Sequence, residues 1–323
     1  MFHHISRRCT QRMFLMRPDE ETSAAFLYCL IVAATKWGIR VLVACAMSNH
    51  YHAVIYDEHG NYPRFLQQFH RLFARVMNRV RDREENFWSS EQTSVVALSS
   101  PKALLEALVY AATNPVKDHL VARVRDWPGV NTLEALLEGK ALEGERPRSY
   151  FRANGKMPRN VAMTPTLPEH PWIGDATEFL ATLARMVGEA EADARADLAA
   201  RRAAPLGAAV VLARSPTASP MNAEREHDLN PQFATGDVSL VRRAIEFYAS
   251  FQQSHRDARR KWCAGDRRAL FPAGTYWMRV HMHVRVASTH ALAPRADGRE
   301  RKGVRARIAR APAIAARSAS ARR

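Results

Sequence analysis

Strand-like and helix-like hydrophobic rhythms alternate along residues 2–117. Residues 2–16 read as an opening strand, a basic loop and a short apolar return. Pro18-Asp19-Glu20-Glu21-Thr22 then puts acids in a first helical turn, where the helix dipole favours them. Ala25, Phe26, Leu27, Cys29, Leu30 and Ala33 give that helix a broad buried face, and Gly38 can stop it. Residues 39–46, rich in β-branched and small apolar side chains, predict a strand. Met47-Ser48-Asn49 is a connector, residues 50–56 a second strand, and Asp57-Glu58-His59-Gly60-Asn61 a turn. Two neighbouring strands of this kind suit an antiparallel hairpin.

From Pro63 the spacing becomes helical, with Phe65, Leu66, Phe69, Leu72, Phe73, Val76 and Val80 on one side. Arg64, His70, Arg71, Arg75, Arg79 and Arg81 fall largely elsewhere, which suits either a phosphate rail or a solvated face. Residues 86–98 read as a loop entering a strand. Ser100 and Pro101 are an N-cap and first-turn pair for a helix through Leu104, Leu108 and Ala112. That helix is expected to end or bend near Asn114, because Pro115 disfavours helical geometry in the residue before it.

Beyond residue 135 the character shifts. Residues 144–168 are polar, basic and punctuated by prolines, as in a linker or an irregular wrapping loop. Residues 176–203 predict a long amphipathic helix with Phe179, Leu180, Leu183, Met186 and Val187 as its stripe, suited to packing or dimerisation. Residues 204–236 are Ala/Pro/Ser-rich, and residues 238–260 are helical again.

Charge changes the picture less than its size suggests. The 323-residue chain carries +16, but +9 of that lies in residues 284–323, which read as a disordered basic tail. The excess still favours a polyanionic partner. The four cysteines, Cys9, Cys29, Cys45 and Cys263, form no C-x-x-C pair, as expected in a reducing cytosol. The longest apolar run, residues 24–34, is too short to span a bilayer, and the N-terminus lacks a signal-peptide pattern. The expectation is a cytoplasmic protein with no membrane association.

Two side-chain sets carry candidate chemistry. His50 and His52 flank Tyr51 in a predicted strand, so they share one face and can hold one divalent metal ion. Tyr110 and Asn114, four residues apart on a helix, also share a face. A second His-x-His, at His281 and His283, has no Tyr-x-x-x-Asn segment after it and reads as a surface pair. A lone His-x-His is more often two half-exposed strand histidines, and a tyrosine in an Ala/Leu helix is more often core.

Taken together, Phe2-His3-His4-Ile5-Ser6-Arg7-Arg8, Met47-Ser48-Asn49-His50-Tyr51-His52 and Tyr110-Ala111-Ala112-Thr113-Asn114-Pro115-Val116-Lys117 resemble the IS200-like and REP-associated single-tyrosine (HUH) transposase family. The resemblance covers about residues 1–130. It implies an α+β fold, a ferredoxin-like or RRM-like antiparallel sheet with helices, followed by a mainly helical or irregular C-terminal extension. It implies His50, His52 and Asn114 as ligands of a divalent metal, Mg²⁺ or alternatively Mn²⁺, and Tyr110 as the nucleophile. The implied activity is cleavage and rejoining of single-stranded or hairpin DNA through a 5′-phosphotyrosine, with a homodimer compatible. The corresponding organisation is a catalytic domain over residues 1–135, an accessory region over 136–275 and a basic tail over 276–323. Alternatives are an inactive structured nucleic-acid-binding module and a replication-initiator or relaxase endonuclease. The chain departs from the family pattern at Arg8, at Tyr51 and around Trp88; Tyr51 is a rival nucleophile that strand alternation turns away from the histidine face.

Overall fold

The computed structural model describes residues 1–221, 233–234 and 238–287. Its centre is an antiparallel sheet in the order β2-β3-β1-β4, formed by β1 (Phe2–Arg8), β2 (Ile39–Ala46), β3 (His50–Asp57) and β4 (Ser94–Leu98). Between these strands run α1 (Glu20–Trp37) and α2 (Tyr62–Val80), which gives the β-α-β-β-α-β succession of a ferredoxin-like domain. The α+β, ferredoxin-like reading of the sequence describes this architecture.

α1 begins where its chemistry allows. Asp19 accepts from the Thr22 N–H at 2.9 Å and from the Thr22 hydroxyl at 2.6 Å, and Gly38 ends the helix in the left-handed region at φ 65°. Arg81 ties the end of α2 to this start, with Nη2 2.7 Å from Asp19 Oδ2 and 2.6 Å from Thr22 Oγ1. Between the helices, Phe26 meets Phe69 and Phe73 edge-on, with ring centroids 5.3 and 5.4 Å apart. Each such fully buried ring contributes about 1.5–3 kcal/mol by leaving water.

The opposite face of the sheet is covered by α3 (Pro101–Lys117), itself backed by α5 (Ala176–Ala200). α5 buries Phe179, Leu183 and Val187 there, so its apolar stripe is an intrachain packing surface. The free edge of β2 is closed by residues 130–132. Ala46 N–H donates to Val130 O (2.9 Å), Thr132 N–H to Ala44 O (2.9 Å), and Thr132 Oγ1 accepts from Ala44 N–H (2.8 Å).

Two expectations are corrected. α3 does not end at Asn114 but runs through Pro115 to Lys117. The proline removes one helical N–H, and the turn survives because it is buried and tethered: Asn131 Nδ2 donates to Ala112 O at 2.8 Å, and the Asp118 and Leu120 N–H groups donate to the Asn114 and Pro115 carbonyls. The proline-rich stretch after residue 144 also contains regular structure. β5 (Leu142–Glu145) pairs antiparallel with β6 (Asn160–Met163), and the Tyr28 hydroxyl of α1 holds the hairpin by donating to Pro158 O at 2.7 Å.

After α4 (Leu133–Glu138) and α6 (Ala208–Ala213) come β7 (Phe233–Ala234), which pairs parallel with β4, and α7 (Val238–Cys263). β8 (Leu270–Phe271), α8 (Tyr276–His281) and β9 (Arg285–Val286) fold against α7 around Ala258, Ala269, Phe271 and Met278. Residues 276–287, placed with the tail on sequence, therefore carry α8 and β9; residues 288–323 lie outside the described residues. Among the described residues, no helix is long and apolar enough to cross a membrane.

Candidate active site

Strand alternation divides β3 between two environments. Tyr51, Ala53 and Ile55 belong to the core under α1 and α2, while Val54 packs in the core under α3 on the face that His50 and His52 share with it. β1 lies antiparallel beside β3 with Arg8 opposite His50, Ser6 opposite His52 and His4 opposite Val54. Arg8, Ser6 and His4 therefore share the histidine face.

The structure brings the sequence-predicted set together within one chain. The Tyr110 ring stands edge-on to His52 with centroids 5.1 Å apart, and His50 and His52 are 4.9 Å apart. Asn114, one turn after Tyr110, is buried beside them, and its Oδ1 has no hydrogen-bond partner. The Asn114 amide is near enough to raise the His50 pKa and lower that of Tyr110 while falling short of hydrogen-bond geometry with either.

Protonation states follow from burial. Burial holds His50 down to about 4, against a smaller opposing effect of Asn114, and holds His4 down to about 4. His52 falls well below its ordinary value through burial and the neighbouring His50 and His4. All three imidazoles are neutral at pH 7, the form that can ligate a cation. The Tyr110 phenol is raised by burial and by the Asp118 charge, with Asn114 opposing, so it is protonated before any reaction.

The tautomer of His50 can be read from its neighbours. Asn49 Nδ2 donates to Arg12 O at 3.1 Å, which fixes the amide and turns Asn49 Oδ1 toward His50 Nδ1, 2.7 Å away. His50 Nδ1 therefore donates, and Nε2 keeps its lone pair. His52 Nδ1 lies 3.1 Å from His4 Nε2, and with His52 as the donor of that bond its Nε2 keeps a lone pair for another partner. Two imidazole Nε2 atoms and an orphaned amide oxygen fit a divalent cation, with Nδ1 partners orienting each ring. Among the described residues, no three His, Cys, Asp or Glu side chains converge as a metal-binding group, so Asn114 is needed to complete this set.

His50, His52 and Tyr110 line a cleft of about 1110 Å³ that also includes Arg7, Arg8, Arg12 and Arg214, with Asp118 and Glu91 as its carboxylates. Arg8 Nη2 meets Glu91 Oε1 at 2.7 Å, and Lys117 Nζ lies 5.0 Å from the Tyr110 ring centroid. The cationic excess suits a phosphodiester backbone. No α2 residue lines the cleft, so the arginines of α2 belong to another surface.

Sequence reasoning gave no role to His4 or Asn49. The period-two pattern of His4, Ser6 and Arg8 was available, but only the pairing with β3 shows which residues they face. The rival Tyr51 is disposed of by its environment. Arg7 Nη1 lies 2.7 Å from His70 Nδ1 and can only donate, so His70 carries its proton on Nε2 and gives it to the Tyr51 oxygen at 2.6 Å. Burial pushes the Tyr51 phenol up, out of reach of ionisation at neutral pH. Trp88 belongs to the same buried network, its Nε1 donating to His70 O at 3.0 Å. His281 ends α8 beside Trp277, and His283 sits at φ 52°, so that pair occupies no strand and shares no face.

No family model matches the chain, and no curated protein matches it. Two solved structures are similar at a distance. One is a REP-associated tyrosine transposase bound to a REP hairpin, at 14% identity and a TM-score of 0.37 over 47% of this chain and 82% of the other. The other is a Deinococcus radiodurans R1 protein provisionally named a transposase, at 17% identity and a TM-score of 0.26 over 32% of this chain and 82% of the other.

Proposed function

We propose that the chain is a metal-dependent DNA strand transferase that cleaves and rejoins single-stranded DNA, at hairpin or repeat ends, through Tyr110. The observation that carries this reading is the Tyr110 ring set on His52 at 5.1 Å within an arginine-lined cleft. The resemblance of the three sequence segments to the single-tyrosine transposases supports it.

In this reading the Tyr110 oxygen attacks a phosphorus held in the cleft. The phenol gives up its proton, the bond from phosphorus to the 3′ oxygen breaks, and that oxygen takes up a proton as a free 3′-hydroxyl. The protein keeps the 5′-phosphate as a phosphotyrosine ester. Phosphodiester energy is conserved, so attack by another 3′-hydroxyl rejoins strands without a nucleotide cofactor. Arg12 and Arg214 hold flanking phosphates, and the Asp118 charge favours the protonated form of Tyr110. His50 Nε2, His52 Nε2 and Asn114 Oδ1 are the atoms that would hold a divalent ion, Mg²⁺ or Mn²⁺. That ion, when bound, supplies charge stabilisation at the scissile phosphate. The two imidazoles favour Mn²⁺ over Mg²⁺ in affinity.

The test is a 3′-labelled single-stranded hairpin incubated with protein and either metal, then resolved under denaturing conditions. A protein-linked label is expected with the native chain and with Tyr51→Phe, and none with Tyr110→Phe. An adduct that survives Tyr110→Phe overturns the assignment. Hairpin binding without an adduct under any metal leaves the inactive binding module.

A further inference from the structure

The unit formed by α7, β8, α8 and β9 contributes no residue to the lining of the central cleft. Its small core of Ala258, Ala269, Phe271 and Met278 is separate from the two cores that flank the central sheet. Residues 238–287 hold ten Lys or Arg against three Asp or Glu. A cationic surface alone is commonly a solvated face; here aromatic rings are interleaved with it.

Trp277 leaves 60% of its surface to solvent, although a buried position for Met278 lies next to it. Its ring is propped by His281, centroids 5.1 Å apart and planes 36° apart. Arg267 lies 4.2 Å over the Trp262 ring, and Arg279 lies 5.9 Å from the Tyr276 centroid. Trp277 and Tyr276 border a shallow groove of about 410 Å³ whose other wall is Phe251, His255 and Arg256 of α7. The exposed indole face costs free energy in water, and Arg256 in the facing wall gives the groove a cation that suits an anionic partner.

We propose that this groove is a second nucleic-acid site, in which bases of single-stranded DNA stack on Trp277 while Arg256 and Arg279 take the adjoining phosphates. Rings with one free face among guanidinium groups are the recurrent platform for single strands, because every base offers a π-face and every nucleotide a charge. The site is sequence-tolerant. It serves as a grip on strand flanking whatever the central cleft holds, and it does not depend on the chemistry assigned to Tyr110.

The experiment uses the full chain in a Tyr110→Phe background, so that binding is read without cleavage. Fluorescence anisotropy follows a labelled oligothymidylate of about 20 nucleotides, at salt between about 50 and 200 mM. Trp277→Ala is expected to weaken binding by about 5- to 100-fold, and Trp277→Phe, which keeps a stacking face, to retain most of it. Arg279→Ala is expected to weaken binding and flatten its salt dependence. Unchanged thermal transitions of these exposed-site variants confirm that folding is intact. Equal affinity of Trp277→Ala and the parent overturns the proposal, as does Trp277→Phe binding no better than Trp277→Ala. Preferential binding of phosphatidylserine vesicles, lost in Trp277→Ala while oligothymidylate binding is unaffected, also overturns it.

Discussion

His4 Nε2 and His52 Nδ1 lie 3.1 Å apart, their rings nearly parallel at 21°, so one neutral imidazole decides which nitrogen of the other is free. If His52 donates from Nδ1, its Nε2 keeps a lone pair toward His50 and Tyr110. If His4 donates instead, the His52 proton moves to Nε2 and blocks ligation. Partners of this kind are typically worth about 10- to 100-fold in metal affinity. His4→Ala is accordingly expected to weaken Mn²⁺ binding by that order in calorimetry. His4→Gln, whose amide oxygen can accept from Nδ1, should recover part of it. Native affinity in His4→Ala would refute this role.

Tyr51→Phe separates the two tyrosines. It leaves the His70 Nε2–H, now held by Tyr51 at 2.6 Å, without a buried acceptor, at a cost of about 1–3 kcal/mol. Urea denaturation should show that loss while adduct formation on hairpin DNA persists. An unchanged midpoint would mean that the hydroxyl is not needed to satisfy His70.

The parts of this molecule that could be read in advance are those whose cause is local. Asp19 caps α1 and Ser100 caps α3 because each accepts from an N–H three residues on, a pattern visible in a short window. Spacing put His50 and His52 on one strand face and Tyr110 and Asn114 on one helix face, and the resemblance of three segments to a known family joined them into one candidate set. What was missed depends on partners distant in sequence. His70 seemed to belong to a solvated helix face, yet it is buried because Arg7 and Tyr51 satisfy both ring nitrogens. The β5–β6 hairpin was hidden by prolines, and only its docking on Tyr28 makes its strands worthwhile. His4 needed the register of β1 on β3.

Asp19 gives an acid-sensitivity prediction with a definite sign. Burial alone would raise its pKa, but the Thr22 hydroxyl and N–H and the Arg81 guanidinium outweigh it, so the folded value lies below the ordinary 3.8. A depressed carboxylate stabilises the fold above its unfolded-state pKa and loses that contribution as pH falls through the folded value. Stability should therefore decline below about pH 4, and Asp19→Asn should flatten this part of the profile. At pH 7 the substitution is expected to cost about 1–2 kcal/mol, because Asn still caps while the charged bond to Arg81 is lost. Parallel pH profiles of thermal midpoint for both proteins would contradict the assignment.

Gly129 tests whether the strap over β2 matters to the site. A Cβ there would lie 2.7 Å from Pro18 Cβ, 2.7 Å from Trp127 Nε1 and 3.2 Å from Ala46 O. The last two atoms are the donor and acceptor of a 3.0 Å bond, so the added methyl would wedge between an indole and the backbone it holds. Neither the proline ring nor the sheet carbonyl can swing away cheaply, and about 1–3 kcal/mol of destabilisation is expected for Gly129→Ala. The same strap carries Asn131, whose side chain donates to Ala112 O and so tethers the turn of α3 that holds Asn114. Loosening it should weaken Mn²⁺ binding along with the fold. Gly60→Ala supplies the contrast: nothing lies within 4 Å of a Cβ there, and only the backbone strain of φ 71° applies. That variant should lose about 1 kcal/mol and keep its metal affinity. If both variants bind Mn²⁺ equally well, the strap stabilises the fold without positioning Asn114.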